Sequence, residues 1–125
     1  MRLKNKTAIV TGATGGIGAA TSKRYLEEGA NLVMVGRSEE KLINLMKSLD
    51  NPSNALTCVA DSKDESAINK CINTTYEKFG SVDIVMANAG TEGIVKPLTD
   101  FTVEEFNDVI DVNVVGVWLY MKYAF

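Results

Sequence analysis

The chain has 125 residues, of which 46% are apolar, 23% are charged and only 2 are proline. This composition is typical of one compact domain and excludes extensive disorder. Its 16 acidic residues outnumber its 13 basic residues, so it lacks the positive field with which proteins bind a nucleic-acid backbone. Because histidine is absent, we expect neither a metal site nor a Ser-His or Cys-His nucleophile.

Two further features bear on the cellular environment. The apolar stretch 112–125 is interrupted by Asn113 and Lys122 and is shorter than the roughly 20 residues of a membrane helix. Cys58 and Cys71 have neither C-x-x-C spacing nor the density of a disulfide framework. We therefore expect both to be buried, reduced thiols in a cytoplasmic protein that has no membrane or nucleic-acid partner.

Short β-branched runs alternate with segments of helical periodicity, and this alternation predicts an α/β fold. The predicted strands are Thr7–Val10, Leu32–Val35, Ala55–Ala60 and Val82–Ala87. The predicted helices extend from the glycine-rich turn to about Glu28, from Ser38 to the Asp50–Pro52 turn, from Ser62 to Gly80, and from Thr102 to the last residue. Right-handed crossovers would join the strands in a Rossmann-type, doubly wound parallel sheet of order 3-2-1-4.

Several residues predict where the helices begin and end. Ser38 is a suitable N-cap, and Ser62–Glu65 and Thr102–Glu105 have the spacing of capping boxes. Gly29 and Gly80 follow helical segments and are predicted to end them.

The segment Gly12–Gly18 lies between the first strand and the first helix. A helix N-terminus at this place presents free N–H groups and a positive dipole end, which favour a phosphate. The G-x-x-x-G-x-G spacing differs from a P-loop, since no Gly-Lys-Ser/Thr follows. Gly12 would allow the turn, Gly16 the close approach of a ligand, and Gly18 tight helix packing. The alternative is a merely flexible turn.

Four motifs occur in order along the whole chain. They are Thr11–Gly18, Asp61 after the third strand, Asn88-Ala89-Gly90 after the fourth strand, and Asn113 in the last helix. In this combination the sequence resembles the short-chain dehydrogenase/reductase family. The resemblance implies an oxidoreductase that transfers a hydride between NADP(H) and a carbonyl or alcohol substrate, for example a 3-oxoacyl thioester or a small ketone.

The resemblance also implies roles for individual residues. Asp61, with Ser62 beside it, would accept a hydrogen bond from the adenine amino group, Asn88–Gly90 would line the ribose, and Asn113 would support a proton relay in the active site. The cofactor-binding residues implied in the glycine turn are Gly12, Thr14, Gly15, Gly16, Ile17 and Gly18. The alternatives are a capping acid at Asp61, an ordinary tight turn after the fourth strand, and an exposed or helix-kinking Asn113.

Arg37 follows the second strand, where the family distinguishes NADP from NAD. An acidic residue there would bind the ribose hydroxyls and repel a 2′-phosphate, whereas Gly36-Arg37 leaves room for the phosphate and supplies a guanidinium. The sequence therefore favours NADP, with NAD as a possible cofactor. The alternative is a solvated arginine in a surface loop.

The family's catalytic Ser and Tyr-x-x-x-Lys pair have no counterpart in these residues, since none of the 4 tyrosines is followed four positions later by lysine. We expect the chain to be the N-terminal part of a single NAD(P)-binding domain, inactive alone, and the longer protein to form a homo-oligomer. The alternatives are a non-catalytic dinucleotide-binding module and a truncated product. The stripe of Trp118, Met121 and Phe125 is expected in the core or in a subunit interface.

Overall fold

The computed structural model describes residues 1–125 and contains one four-stranded parallel sheet. The spatial order of its strands is β3-β2-β1-β4, as predicted for the first four strands of a doubly wound sheet. The strands are β1 (Thr7–Thr11), β2 (Asn31–Gly36), β3 (Ala55–Val59) and β4 (Ile84–Met86). The predicted fold class is confirmed.

Helices connect the strands and continue after β4. The connecting helices are α1 (Gly16–Glu27), α2 (Glu39–Ser48) and α3 (Glu65–Phe79). After β4 come a short 3-10 helix (Leu98–Asp100), α4 (Val103–Ile110), a π-helical turn (Asp111–Val115) and α5 (Gly116–Ala124). The continuous helix predicted from Thr102 is therefore divided by the π turn.

The sheet has a separate hydrophobic core on each face, because alternate strand residues point to opposite sides. Ile9 and Val33 pack on one face with residues of α3 and α5, including Ile68 and Leu119. The second core, on the other face, contains Ala8, Val10, Leu32, Met34 and Leu42, and residues of α1 pack against it. The β1 and β2 residues in these two clusters have no exposed surface or almost none, so helices cover both sides of the sheet centre.

β4 is shorter than the predicted strand Val82–Ala87. Only three of its residues pair with β1, from Ala8↔Ile84 to Val10↔Met86, and they are half-buried. β4 is an edge strand in the order β3-β2-β1-β4, so no second neighbour extends its ladder. Sequence periodicity cannot distinguish an edge strand from a central one when both are apolar.

The predicted capping box at Ser62–Glu65 is wrong. The N-cap of α3 is Asp64, whose carboxylate accepts a hydrogen bond from the Ala67 N–H at 3.0 Å. The helix begins two residues later than Ser62 predicted, because Asp is as good a cap as Ser and here has the correct backbone geometry. The caps predicted at Ser38 and Thr102 are confirmed, the latter as a complete capping box.

The structure corrects one burial prediction and leaves one of two alternatives open in another. Cys71 is buried, but Cys58 is only half-buried, because it lies on β3 at the other edge of the sheet. Trp118, Met121 and Phe125 are 54%, 51% and 98% exposed and so do not belong to the core of this chain. They lie on the side of α5 that faces away from the sheet, whereas Leu119 and Tyr120 face it.

No helix of the structure combines the length and the apolar character that a bilayer crossing requires. No group of three or more His, Cys, Asp or Glu side chains is arranged so that it could hold a metal ion.

Candidate functional site

The main concavity is a cleft of about 510 Å³ along the carboxyl edge of the sheet. Every strand contributes to it, because its walls include residues directly after β1, β2, β3 and β4. In an open parallel sheet this edge, at the point where the strand order reverses, is where ligands bind. Here the reversal lies between β1 and β4.

The ends of β1 and β4 are linked by side-chain hydrogen bonds. The Ala89 N–H donates to Thr11 Oγ1 at 3.0 Å, and Asn88 Nδ2 donates to the Gly12 carbonyl at 3.3 Å. A Cβ added at Gly12 would lie 3.0 Å from Ala89 Cα, and Gly12 has a φ of +60°. Only glycine therefore fits comfortably at this junction.

The glycine turn leaves the first turn of α1 open. Gly15, the N-cap, has no side chain to accept the first helical N–H groups, and no acidic residue lies in the first turn. A Cβ at Gly16 would meet nothing within 4 Å, whereas a Cβ at Gly18 would lie 2.1 Å from the Gly12 carbonyl oxygen. Gly16 thus faces open space, and Gly18 allows the turn to pack against the helix. The free N–H groups and the dipole of α1 can receive an anion here.

Asp61 lies in the loop after β3 and is half-buried. Its Oδ1 accepts a hydrogen bond from the Lys63 N–H at 3.0 Å, which holds the loop in a tight turn. Its Oδ2 makes no hydrogen bond with the protein, so Asp61 can accept a further bond from the cleft. Ser62 lines the cleft and packs against the start of α5, where a Cβ at Gly116 would lie 2.9 Å from Ser62 Cβ.

Two basic side chains line the cleft, and their surroundings differ. Lys63 Nζ pairs with Asp108 Oδ1 at 3.0 Å, and the hydrogen bond with this carboxylate raises the pKa of Lys63. Arg37 is exposed directly after β2 and forms no ion pair. Arg37 is therefore the cation of the cleft whose donors are free for an anionic group.

Asn113 lies in the π turn between α4 and α5. Its Oδ1 accepts from the Thr91 N–H and its Nδ2 donates to the Thr91 carbonyl, both at 2.8 Å. The side chain is exposed, as in the alternative interpretation of this residue, and both of its polar ends bond to one backbone residue. Asn113 therefore supports the loop after β4 from behind the cleft instead of lining the cleft.

The structure brings most of the predicted site residues together. Those that line the cleft are Gly12, Thr14, Gly15, Arg37, Asp61, Ser62, Asn88, Ala89 and Gly90. Gly16 and Ile17 are exposed at the start of α1, and Gly18 is buried beneath the turn. The cleft is also lined by residues that the sequence analysis did not assign to the site, among them Lys63, Thr91, Asp108 and Tyr120. No local pattern in the sequence links Lys63 to Asp108.

These residues fit a dinucleotide. The glycine turn has room and free N–H groups for a pyrophosphate, Arg37 can pair with a phosphate, and Asp61 can accept from an amino group. The small residues at Ala89 and Gly90 leave the backbone accessible to the ligand.

Comparisons with known proteins agree with this geometry. The family described as short chain dehydrogenase matches residues 6–125. The NADP-dependent (R)-specific alcohol dehydrogenase of Lentilactobacillus kefiri is 39% identical over 117 residues, which are 94% of this chain and 46% of that protein. A short-chain dehydrogenase/reductase (glucose/ribitol dehydrogenase) from Brucella melitensis superposes with a TM-score of 0.94 at 31% identity, over 99% of this chain and 52% of that one.

NAD⁺-bound xylitol dehydrogenase superposes with a TM-score of 0.92 at 30% identity, over 99% of this chain and 48% of that one. The chain thus spans about half the length of the curated relatives that it matches. Three observations lead to one conclusion: the family match over nearly all residues, the strand order, and the cleft at the strand reversal. The chain belongs to the short-chain dehydrogenase family.

Proposed function

We propose that this chain is the cofactor-binding half of an oxidoreductase that transfers a hydride between NADP(H) and a carbonyl or alcohol substrate. The observation that carries the proposal is the cleft itself, which contains both the glycine turn before the open N-terminus of α1 and an unpaired Arg37 after the neighbouring strand β2. The name of the L. kefiri relative, an NADP-dependent alcohol dehydrogenase, supports this assignment. NADP is the preferred cofactor and NAD the alternative, in view of the NAD⁺-bound neighbour.

Each wall of the cleft has a role in this proposal. The glycine turn binds the pyrophosphate through backbone N–H groups, because a helix N-terminus favours negative charge. Arg37 pairs with the 2′-phosphate, Asp61 accepts from the adenine amino group, and Asn88–Gly90 line the ribose of the nicotinamide half. The bound cofactor supplies the hydride chemistry, while the protein orients it and excludes water.

Asn113 acts as a support in this proposal. Its two hydrogen bonds to Thr91 fix the backbone just after Gly90, which is where the nicotinamide end of the cofactor would lie. None of the tyrosines in these residues is followed four positions later by lysine. We therefore assign these residues to cofactor binding and not to proton transfer.

The cofactor assignment is tested by replacing Arg37. Arg37→Ala should weaken NADPH binding by about 1.5 to 3 kcal/mol, the range for hydrogen bonds to charged groups, and leave NADH binding nearly unchanged. Isothermal titration of both cofactors against both proteins measures the difference.

Lys41→Ala is the matched control, because it removes one positive charge from α2 at an exposed position outside the cleft. It should change neither affinity. An equal loss of NADPH and NADH affinity in Arg37→Ala would show that Arg37 does not recognise the 2′-phosphate.

A further inference from the structure

Tyr120 is a buried residue with an unusual position. Its exposed fraction is 2%, and it packs in the core between the sheet and α3. It nevertheless lines the cleft, together with Val35, Ala60 and Asp61. A phenol in an apolar core normally finds a hydrogen-bond partner, because an unpaired hydroxyl costs free energy when it leaves water.

The Tyr120 hydroxyl has no hydrogen-bond partner in the protein. The polar side-chain atoms that are fully enclosed without a partner are Ser22 Oγ and Glu105 Oε2, and the Tyr120 hydroxyl is not among them. It therefore touches open space, and the open space that Tyr120 lines is the cleft.

The direction expected for the Tyr120 side chain agrees with a hydroxyl that opens on the cleft. Long side chains on a helix point back toward its N-terminus. α5 begins at Gly116, against Ser62 in the wall of the cleft. Tyr120 lies one turn further along, so its ring is expected to extend from the core toward the cleft that it lines.

The cleft therefore has both a donor and an acceptor in its lining. Burial raises the pKa of Tyr120 above its ordinary value, so the hydroxyl keeps its proton and can donate. Asp61, which also lines the cleft, offers a free carboxylate oxygen. Adenine presents the complementary pattern, an amino group flanked by the ring nitrogens N1 and N7, which accept.

We propose that Tyr120 is a specificity-determining residue of the cleft, whose hydroxyl donates to N1 or N7 of the adenine ring while Asp61 accepts from the amino group. The inference rests on the proposed function, because it places the adenine half of the dinucleotide beside Asp61. It adds a donor from α5 to a site otherwise built from the loops after the strands.

The first test removes the hydroxyl and keeps the ring. Tyr120→Phe should bind AMP and NADPH about 3- to 10-fold more weakly than the wild-type protein, the effect of one net hydrogen bond. Tyr123→Phe is the matched control, because the Tyr123 hydroxyl donates to Glu65 and Tyr123 does not line the cleft. The control should keep wild-type affinity for both ligands.

The second test changes the ligand and needs only the wild-type protein. The affinities of AMP, 1-deaza-AMP and 7-deaza-AMP are compared, since each analogue lacks one acceptor nitrogen. One analogue should bind about 3- to 10-fold more weakly than AMP, and in Tyr120→Phe that difference should disappear.

Equal affinity of the wild-type protein for all three nucleotides would overturn the inference, as would unchanged AMP binding by Tyr120→Phe. A loss in Tyr120→Phe without any discrimination among the analogues would also overturn it, because the hydroxyl would then act on the shape of the cleft and not through a hydrogen bond to N1 or N7. If the wild-type protein binds neither AMP nor NADPH, the proposed function itself fails, so the two failures are distinguishable.

Discussion

The glycines between β1 and α1 serve different physical needs although they lie within one turn. Gly12 has a left-handed backbone, and Gly18 sits where a Cβ would collide with the turn. Gly16 has neither constraint and faces open space. The sequence motif includes all three positions, and the structure separates the two that form the turn from the one that faces open space, where we propose that the ligand binds.

This separation predicts opposite effects of two substitutions. Gly16→Val should leave the free energy of unfolding within about 0.5 kcal/mol of wild type, yet weaken NADPH binding at least about tenfold, because its side chain would occupy the approach to the α1 amides. Gly18→Ala should destabilise the fold by about 1 to 3 kcal/mol through overpacking. Chemical denaturation and cofactor titration of each variant measure the two effects. Normal NADPH affinity in Gly16→Val would contradict the phosphate-binding role of the turn.

Single residues also show where sequence reasoning fails. Ser62 and Asp64 are both good N-caps, and the choice between them depends on the backbone geometry of the loop, which only the tertiary structure sets. Tyr120 could be read from the sequence as one apolar position among many. The sequence does not show that α5 begins beside Ser62, nor that Tyr120 lines the same cleft as Ser62.

At the scale of elements, the helical region after β4 is the least regular part of the structure. The π turn Asp111–Val115 interrupts what the sequence predicts as a single helix, and Asn113 lies in its middle. Such π-helical turns often occur at functional sites. The polar residue within an apolar run was visible in the sequence, but its partner Thr91 was not, since the contact spans 22 residues.

The clamp between Asn113 and Thr91 can be tested by hydrogen exchange. Asn113→Ala removes both hydrogen bonds, so the Thr91 amide should exchange at least about tenfold faster, in line with about 1 to 3 kcal/mol for two net bonds. Asn107→Ala, an exposed asparagine in α4, should leave that rate unchanged. Unaltered exchange at Thr91 in Asn113→Ala would show that the loop is held by other contacts.

The exposed face of α5 is the element-scale feature for which the sequence left two interpretations, the core and a subunit interface. An apolar stripe predicts burial, but it does not say against what. Trp118 and Met121 are each about half-exposed, while Leu119 and Tyr120 pack on the sheet. Hydrophobic periodicity identified a helix with more apolar surface than one sheet face covers.

At the scale of the whole molecule, the order of the strands was the most predictable property. Alternating strands and helices, together with right-handed crossovers, allow few arrangements of four parallel strands, and the observed order β3-β2-β1-β4 is the expected one. The cleft follows from this order, because it forms at the point between β1 and β4 where the strand order reverses. Long-range side-chain pairs such as Lys63 and Asp108, 45 residues apart, lie beyond any pattern in the sequence.

The central claim is that this cleft, and no other surface, binds the dinucleotide. Amide chemical-shift mapping during an NADPH titration tests it most directly. If the dinucleotide binds in the cleft, the largest chemical-shift changes should fall in 12–18, at Arg37 and Asp61, and in 88–91. A separate groove lined by Arg2, Leu3, Arg24, Tyr25 and Glu28 serves as an internal control and should show no shifts. Shifts centred on that groove, with the glycine turn unaffected, would contradict dinucleotide binding in the cleft.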